Sequence, residues 1–536
     1  MQDRRSTLHA TRPASRILFC AIAALAMSYG WGFRGDYGHE SGAMVPGALL
    51  GMAVCLSSRR DGWFRRAAIA GFAGAIGWSF GGSMSYGNLP AYTVSDSFPD
   101  VCYGYGCLFV VGALWGGVGG AILALAFTES RSTLQQFVWP IVLLEVAWLV
   151  LSMYPQVESA FEAVEFLRDT AAFTVASSIV VLGAMWLVVP RVRAACGLML
   201  MLAAGWWLGQ LLLVKLTGFH MQPKPGGEYR SDAFAGCAGL LAVLLAYHYH
   251  HNNRAGIMLT LYGLMAGGLG FAIGNFINIP DKVRWEPFWR HEFLRGFDHW
   301  KWTEQSFGLI MGAIVALGAH RLLRGGLSDG PEEARPARLR INELAAFALL
   351  AVIPWSNLYK NVVNWTKQGK LTAEPMFGLP PWAWILILGA MLSVSVILAL
   401  YRYRQNRLPL TPASPLGKGQ LLFLFLMWVT AMGALLQAFP LASKGALFVH
   451  WSFWFTCALC TLLVMGLTGE AAEALEPGVD KSDRRWNVGL GFWCAIVLSP
   501  ALIALLSVAT MKMQTKPDDG ALLRFGPNAS HLQPKT

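Results

Sequence analysis

A short polar stretch between two apolar segments carries the side chains best suited to chemistry. Residues 31–40 read Trp-Gly-Phe-Arg-Gly-Asp-Tyr-Gly-His-Glu, and they separate the apolar segments 17–30 and 42–56. Its ionisable side chains are Arg34, Asp36, His39 and Glu40. A charge inside the bilayer costs about 2.5–3.5 kcal/mol even on a permissive insertion scale, so such groups are usually kept for function. The stretch therefore predicts a binding site, and the alternative is a short loop that reaches water.

Polar residues elsewhere in the chain suit the same site. Two later segments, 215–232 and 281–304, hold acids, bases and aromatic residues, and two asparagines follow glycine-rich apolar segments. We predict that these residues meet the first stretch and bind a solute that is anionic or rich in hydroxyls. The alternative for 281–304 is an amphipathic segment at the bilayer interface. The residues predicted to bind the solute are Arg34, Asp36, His39, Glu40, Asn88, Glu228, Arg230, Asp232, Asn275, Trp300 and Glu304.

Three residues suit the transfer of a coupled proton. An unperturbed histidine has a pKa of about 6.5, so His39 beside Glu40 is one candidate. Glu145 lies within the apolar segment 137–153, where an acid is either protonated or paired. We expect the proton to be carried by His39, Glu40 or Glu145, and the alternative for Glu145 is a structural hydrogen bond.

Motifs for metal or cofactor chemistry are missing from the chain. His39 and Glu40 are adjacent, but the HExxH pattern of zinc enzymes does not occur. The phosphate-binding P-loop, the glycine fingerprint for dinucleotides and the GxSxG elbow are likewise not found. The sequence therefore predicts no metal site and no cofactor, assigns no catalytic residue, and disfavours ATP-driven pumping by this chain alone.

The elements that must position these residues are membrane spans. Of the 536 residues 55% are hydrophobic, 14% are charged, and the mean hydropathy is +0.45. Apolar runs of the length needed to cross about 30 Å of hydrocarbon recur along the chain. We predict an all-α polytopic membrane protein with about fifteen spans: 17–33, 42–57, 67–84, 104–127, 137–153, 171–189, 197–216, 233–250, 257–277, 305–323, 342–357, 381–400, 420–437, 448–468 and 487–511.

The distribution of Lys and Arg predicts how these spans are oriented. The segment 1–16 and every second loop after it are rich in arginine, whereas the alternate loops are richer in acids and aromatic residues. By the positive-inside rule the N-terminus is cytoplasmic and the tail 512–536 is external. The net charge of +11 is spread over many short loops, so it does not indicate nucleic-acid binding. We expect a bacterial inner membrane, with lipid as one partner.

Matching glycine patterns predict an internal repeat. Gly30-Trp-Gly is echoed by Gly205-Trp-Trp, and Gly74–Gly81 is echoed by Gly267–Gly274, in the same order and at similar spacing. The copies are six spans apart, so both run in the same direction across the membrane, about an axis along its normal. The predicted parts are repeats 17–190 and 197–400, followed by three further spans in 420–511.

One pair of cysteines is a candidate for a disulfide. Most of the nine lie in or beside apolar segments and suit packing. Cys102 and Cys107 flank Tyr-Gly-Tyr-Gly near the predicted outer surface. A disulfide between them is compatible with an oxidising external compartment.

Two classes of function fit these features, and a channel, a receptor or an assembly subunit is the further alternative. The first is a secondary transporter of a small polar or anionic solute, sugar-like solutes included, with proton coupling and a site near the repeat interface that opens outward. The alternative is a polytopic transferase, glycosyl or acyl, with an outward-facing site and a lipid-linked donor. The sequence does not decide whether the chain is an enzyme, and it leaves the solute, the coupling ion and the oligomeric state open.

Overall fold

The structure is a computed structural model in which regular structure is almost wholly helical. It describes residues 16–227, 229–295, 298–325, 327, 340–358, 375, 378–407, 414–438, 444–467, 488–514 and 520–533. Within these ranges there is no β-strand, and isolated bridge residues occur, such as the pair Pro223 and Tyr229. Glu228, one of the residues predicted to bind the solute, lies outside the described ranges.

Fifteen apolar helices follow one another along the described chain, joined by loops and short helices. They are α1 (Arg16–Arg34), α2 (Glu40–Ser57), α3 (Ala67–Gly82), α4 (Phe98–Thr128), α5 (Val138–Leu151), α6 (Ala172–Val188), α7 (Arg193–Gln210), α8 (Ala233–His250), α9 (Arg254–Phe276), α10 (His299–Arg324), α11 (Ile341–Phe347, extended to Leu358), α12 (Pro381–Arg404), α13 (Pro415–Ala438), α14 (Lys444–Met465) and α15 (Leu490–Met513).

Each predicted span coincides with one of these helices. Twelve candidate spans in the described residues are long and apolar enough to cross a bilayer, whereas α3, α6 and the apolar part of α14 are shorter. These findings confirm an all-α, multi-pass membrane protein. The exact number of crossings, predicted as fifteen, stays a prediction for the three shorter helices.

Glycine allows the central helices to pack with their backbones in contact. A Cβ atom on Gly112 of α4 would overlap the carbonyl of Gly267 on α9, and one on Gly47 of α2 would overlap the carbonyl of Gly74 on α3. On α10, a Cβ atom on Gly308 would overlap the backbone of α1. Small residues at such contacts are how membrane helices approach closely. Helices α1, α2, α3, α4, α9 and α10 consequently form the tightly packed centre of the molecule.

Peripheral helices present apolar side chains outward. Leu149 on α5, Val180 on α6 and Val497 on α15 are 63%, 69% and 74% exposed. An apolar surface of this extent would be a liability in water and is suited to hydrocarbon.

Corresponding pairs of helices in the predicted repeat do not all pack alike. The pairs α1–α2 and α7–α8 both pack closely, as do α3–α4 and α9–α10. Helices α2 and α3 are in extensive contact, whereas their predicted counterparts α8 and α9 barely touch. The parallel repeat therefore remains a prediction, and so do the part boundaries drawn from it.

Loops that were predicted to lie on one side of the membrane contact one another. They form what we call the loop face, which consists of residues 35–39, 83–97, 152–171, 216–227, 229–232, 277–295, 298 and 520–533. The segment 520–533 folds back onto this face. There the carboxylate of Asp100 accepts a hydrogen bond from the backbone N–H of Phe525, and Gly226 donates to the carbonyl of Gln533.

Cys102 and Cys107 lie inside a helix instead of flanking a loop. Helix α4 already begins at Phe98, so both residues are on α4, and both are free thiols. Five residues along a helix correspond to about 500° of rotation, which turns the two side chains away from each other. The structure therefore does not form the disulfide that the sequence left open.

Candidate functional site

The site is built around Arg34, the last residue of α1. A 3₁₀ turn, Gly35–Tyr37, follows it and leads into α2. Gly42 lets the first turn of α2 approach, because a Cβ atom there would overlap the carbonyl of Arg34. Helix α2 thus closes over the end of α1, and Arg34 is only 3% exposed.

Three aromatic rings surround the guanidinium group of Arg34. Its central carbon lies 4.9 Å from the ring centroid of Trp115, 5.2 Å from Trp31 and 5.3 Å from Tyr86. Phe271 and Phe307 stack on each other at 4.3 Å and pack edge-on against Trp31. Aromatic faces stabilise a desolvated cation by up to about 2 kcal/mol each without using its N–H groups. The guanidinium is therefore held in place with its hydrogen-bond donors largely unspent.

The carboxylate that faces Arg34 belongs to Glu304 in the first turns of α10. Oε1 of Glu304 lies 3.9 Å from Nη2 of Arg34, and both side chains are under 5% exposed. At that distance the two groups attract each other but do not form a hydrogen bond. The hydroxyl of Tyr86 donates to the same Oε1 at 2.5 Å. Glu304 is thus bonded to Tyr86 and only loosely paired with Arg34.

Several buried donors around Arg34 have no partner in the described residues. Nε and Nη1 of Arg34 are buried without a hydrogen bond, and so are Nε1 of the adjoining Trp31 and the hydroxyl of Thr303, the residue before Glu304. Buried polar atoms are nearly always satisfied in folded proteins, and each exception calls for an explanation. Because the arginine and indole nitrogens can only donate, the group that would satisfy them is an acceptor such as a carboxylate or another oxyanion.

A second ion pair lies beside the first. Nζ of Lys301 is 2.7 Å from Oδ2 of Asp36, and the two side chains are 17% and 12% exposed. The same ammonium group is 5.7 Å from the ring of Phe453 on α14. This pair ties the turn after α1 to the start of α10, so it fixes the distance between the elements that carry Arg34 and Glu304.

Residues 83–88, which we call the Tyr86 loop, cover Arg34 from the loop face. Trp300 stacks on the ring of Tyr86 at 5.8 Å with an interplanar angle of 14°. Gln222 and Arg230 hold the loop from the other side: both donate to Ser85, and Arg230 also reaches Asn88 at 3.4 Å. The Tyr86 loop is thus the part of the loop face that lies against Arg34.

A histidine and an aspartate form a separate pair on the loop face. Nδ1 of His220 is 2.6 Å from Oδ2 of Asp232, whose side chain is 2% exposed, whereas the imidazole is 30% exposed. Burial raises the pKa of Asp232 above its usual value, and the hydrogen bond from His220 opposes that rise. The ring of Tyr229 stacks on His220 at 3.9 Å, and its hydroxyl donates to Asp169. Burial, followed by the charge of Asp169, raises the pKa of Tyr229 to about 12.

The structure brings about half of the predicted residues together. Grouped around Arg34 or the Tyr86 loop are Arg34, Asp36, Asn88, Arg230, Trp300 and Glu304. Asp232 belongs to the separate pair with His220. These positions support a common site for the first group.

Other predicted residues lie elsewhere. His39 and Glu40 are exposed at the start of α2, and their backbone packs against Gly82 at the end of α3. Asn275 is fully buried between helices and donates to Thr93 at 3.1 Å. Glu145 is exposed on the outer face of α5.

Sequence reasoning missed the residues that enclose Arg34 from other elements. Trp115 and Tyr86 face the guanidinium at 4.9 and 5.3 Å, and Lys301 and Gln222 fix the surrounding loops. One signal was present for Trp115: it is a large aromatic residue within a run of glycine and other small residues, Gly-Ala-Leu-Trp-Gly-Gly. Such a side chain fills space that the glycines leave.

No family model, no curated protein and no solved structure matches the chain.

Proposed function

We propose that the protein is a secondary transporter of a small anionic solute that binds at Arg34. The observation that carries this proposal is a buried guanidinium with two nitrogens that have no hydrogen-bond partner among the described residues. The site combines residues from both predicted repeats, since Arg34 comes from the first and Glu304 from the second. Transporters commonly bind their substrates at such a repeat interface.

Desolvation around Arg34 favours an anion over an uncharged solute. Hydrogen bonds to a charged group contribute about 1.5–3 kcal/mol each, and a guanidinium can offer two of them to one carboxylate. The three aromatic rings lie within 5.3 Å of the guanidinium carbon and accept no conventional hydrogen bond, so the N–H groups of Arg34 are what a ligand can bind. A carboxylate or another small oxyanion meets that requirement.

In this proposal the structure corresponds to a closed state. The Tyr86 loop and Trp300 separate Arg34 from the loop face. We further propose that the loop face is periplasmic and that the N-terminus is cytoplasmic in a bacterial inner membrane, as the Lys and Arg bias of the loops indicates. Solute entry then begins with displacement of the Tyr86 loop.

Uptake into proteoliposomes tests the proposal. A panel of radiolabelled acetate, lactate, succinate, phosphate and sulfate is offered to the wild type, to Arg34→Ala and to Arg65→Ala. Arg65 is a matched control, because it is an exposed arginine with an exposed partner, Asp61. Loss of one hydrogen bond to a charged group corresponds to at least about a tenfold loss of affinity. We expect that loss for Arg34→Ala alone; equal uptake by all three proteins refutes the assignment of Arg34.

One observation favours the alternative of a transferase with a lipid-linked donor. An imidazole whose Nδ1 is held by a buried carboxylate, as in His220 and Asp232, is the arrangement of a general base. Its Nε2 makes no hydrogen bond to any described residue and the ring is partly exposed on the loop face. Transfer from a lipid-linked sugar by the purified protein, abolished in His220→Ala and retained in Arg34→Ala, would favour the enzyme over the transporter.

A further inference from the structure

We infer that Glu304 takes up a proton when an anion binds at Arg34, so that anion and proton move together. This inference rests on the proposed function, because it requires a solute anion at Arg34. It is carried by the geometry of the buried pair: the carboxylate of Glu304 is the charge that faces Arg34, at 3.9 Å, without a hydrogen bond between them.

Counting the charges at the site shows why a proton is needed. Among the buried groups, Arg34 and Glu304 balance each other, and Lys301 and Asp36 balance each other at 2.7 Å; Asp298, a further acid near Lys301, is partly exposed to solvent. A monovalent anion placed on Arg34 leaves this buried cluster with one uncompensated negative charge. Uncompensated charge in a poorly solvated site is strongly unfavourable and is commonly removed by protonation. One proton per bound anion restores neutrality.

Glu304 accepts that proton at lower cost than Asp36 does. Protonation of Asp36 would break a 2.7 Å ion pair with Lys301. Protonation of Glu304 weakens only a 3.9 Å contact, and it releases Arg34 to bind the anion. Anion and carboxylate therefore compete for the same guanidinium, which links the two binding events.

The hydrogen bond from Tyr86 is compatible with both forms of Glu304. A hydroxyl group donates and accepts, so Tyr86 donates to the carboxylate at 2.5 Å and can accept from the protonated acid after a rotation of its O–H bond. The Tyr86 loop does not have to rearrange when Glu304 changes its charge.

The groups that face Glu304 are Arg34 from α1, Tyr86 from the loop after α3, Asp36 from the turn after α1 and Lys301 from α10 itself. His39 and Glu40, the other acidic and basic groups of the first stretch, are exposed at the start of α2. The coupled proton is therefore assigned to Glu304 in place of His39, Glu40 or Glu145.

Calorimetry on the full chain in detergent micelles tests the inference. Acetate and sulfate serve as probes at pH 7, where both are fully ionised, and each titration is run in two buffers that differ in ionisation enthalpy. By linkage, the difference between buffers counts the protons taken up on binding. We expect about one proton per acetate for the wild type. For Glu304→Gln we expect no proton uptake, with affinity equal to or tighter than that of the wild type.

Two further variants keep the result interpretable. Glu304→Asp retains a carboxyl group and is expected to retain proton uptake, and acetate binding by Glu304→Gln shows that its loss of proton uptake does not come from a damaged fold. Arg34→Ala is expected to bind neither probe. Acetate binding by the wild type without proton uptake, or identical uptake by Glu304→Gln, overturns the inference and leaves the proposed function standing. Absence of binding by both the wild type and Glu304→Gln overturns both.

Discussion

Replacing Tyr86 by phenylalanine tests whether the loop that covers Arg34 is held shut by its hydrogen bond to Glu304. The substitution keeps the ring over the guanidinium and removes only the hydroxyl, which donates to Oε1 of Glu304 at 2.5 Å. Burial, followed by the charge of Glu304, raises the pKa of Tyr86 well above its usual value. The phenol is therefore protonated, and the bond is present, at neutral pH.

The size of the effect follows from the surroundings of Glu304. Tyr86 and Glu304 are each 2% exposed, so water does not replace the lost donor. Arg34, at 3.9 Å, is too distant to form a hydrogen bond in its stead. A hydrogen bond to a charged group contributes about 1.5–3 kcal/mol. Its loss should raise the open population of the Tyr86 loop by about 10- to 150-fold.

Hydrogen–deuterium exchange of residues 83–88 in the detergent-solubilised protein measures this population. Tyr92→Phe is the matched control, because Tyr92 donates a neutral hydrogen bond to the carbonyl of Pro223 at 3.1 Å. A neutral bond contributes about 0.5–1.5 kcal/mol, so the control should speed exchange by roughly tenfold or less. If Tyr86→Phe accelerates exchange no more than Tyr92→Phe does, the hydrogen bond to Glu304 does not hold the Tyr86 loop closed.

Three further predictions concern packing, the segment 520–533 and pH. Gly267→Ala should lower the free energy of unfolding by about 1–3 kcal/mol, because its Cβ would meet the backbone of α4. In Gly106→Ala the added Cβ has no atom within 4 Å, so the melting temperature should stay close to that of the wild type. Asp100→Asn removes the negative charge of the carboxylate that accepts a hydrogen bond from the N–H of Phe525. Limited proteolysis should therefore cut segment 520–533 faster than in the wild type, and unchanged digestion would contradict the contact. Because burial raises the pKa of Asp232, its protonated form stabilises the fold at acidic pH, and this contribution is lost as the pH rises through the folded-state pKa. Asp232→Asn should flatten that part of the stability–pH curve, and a curve identical to the wild type would assign the dependence to other groups.

The apolar helices were predictable because long apolar runs mark them, and twelve in the described residues are long enough to cross a bilayer. Contacts between side chains of different helices were not predictable, because they depend on which faces the helices turn to one another. Gly308 lets α10 lie against the backbone of α1, and this packing brings Glu304 close to Arg34. The sequence of either helix alone does not predict that contact. The predicted meeting of Arg34 with segment 215–232 is indirect, since Arg230 reaches Ser85 in the Tyr86 loop.

Helical phase accounts for the placement of other predicted residues. On α5, Leu144 is buried at 7% exposure while the next residue, Glu145, is exposed. One residue corresponds to about 100° around a helix, so the sequence places Glu145 at membrane depth without telling which way it points. His39 and Glu40 are near Arg34 in the chain, but the turn Gly35–Tyr37 sends them to the surface.

The contact between Asp100 and segment 520–533 has a consequence for how the protein is made. The two partners are separated by 425 residues of sequence. At a synthesis rate of about 5–20 residues per second, roughly 20–85 s pass between the synthesis of Asp100 and that of Phe525, whose backbone N–H donates to it. During that interval its carboxylate has the N-terminal dipole of α4 for stabilisation, worth about 0.3–1 kcal/mol. The loop face therefore reaches its final arrangement only after α15 has been inserted, and a ribosome-stalled chain lacking that helix should expose the Asp100 region to protease.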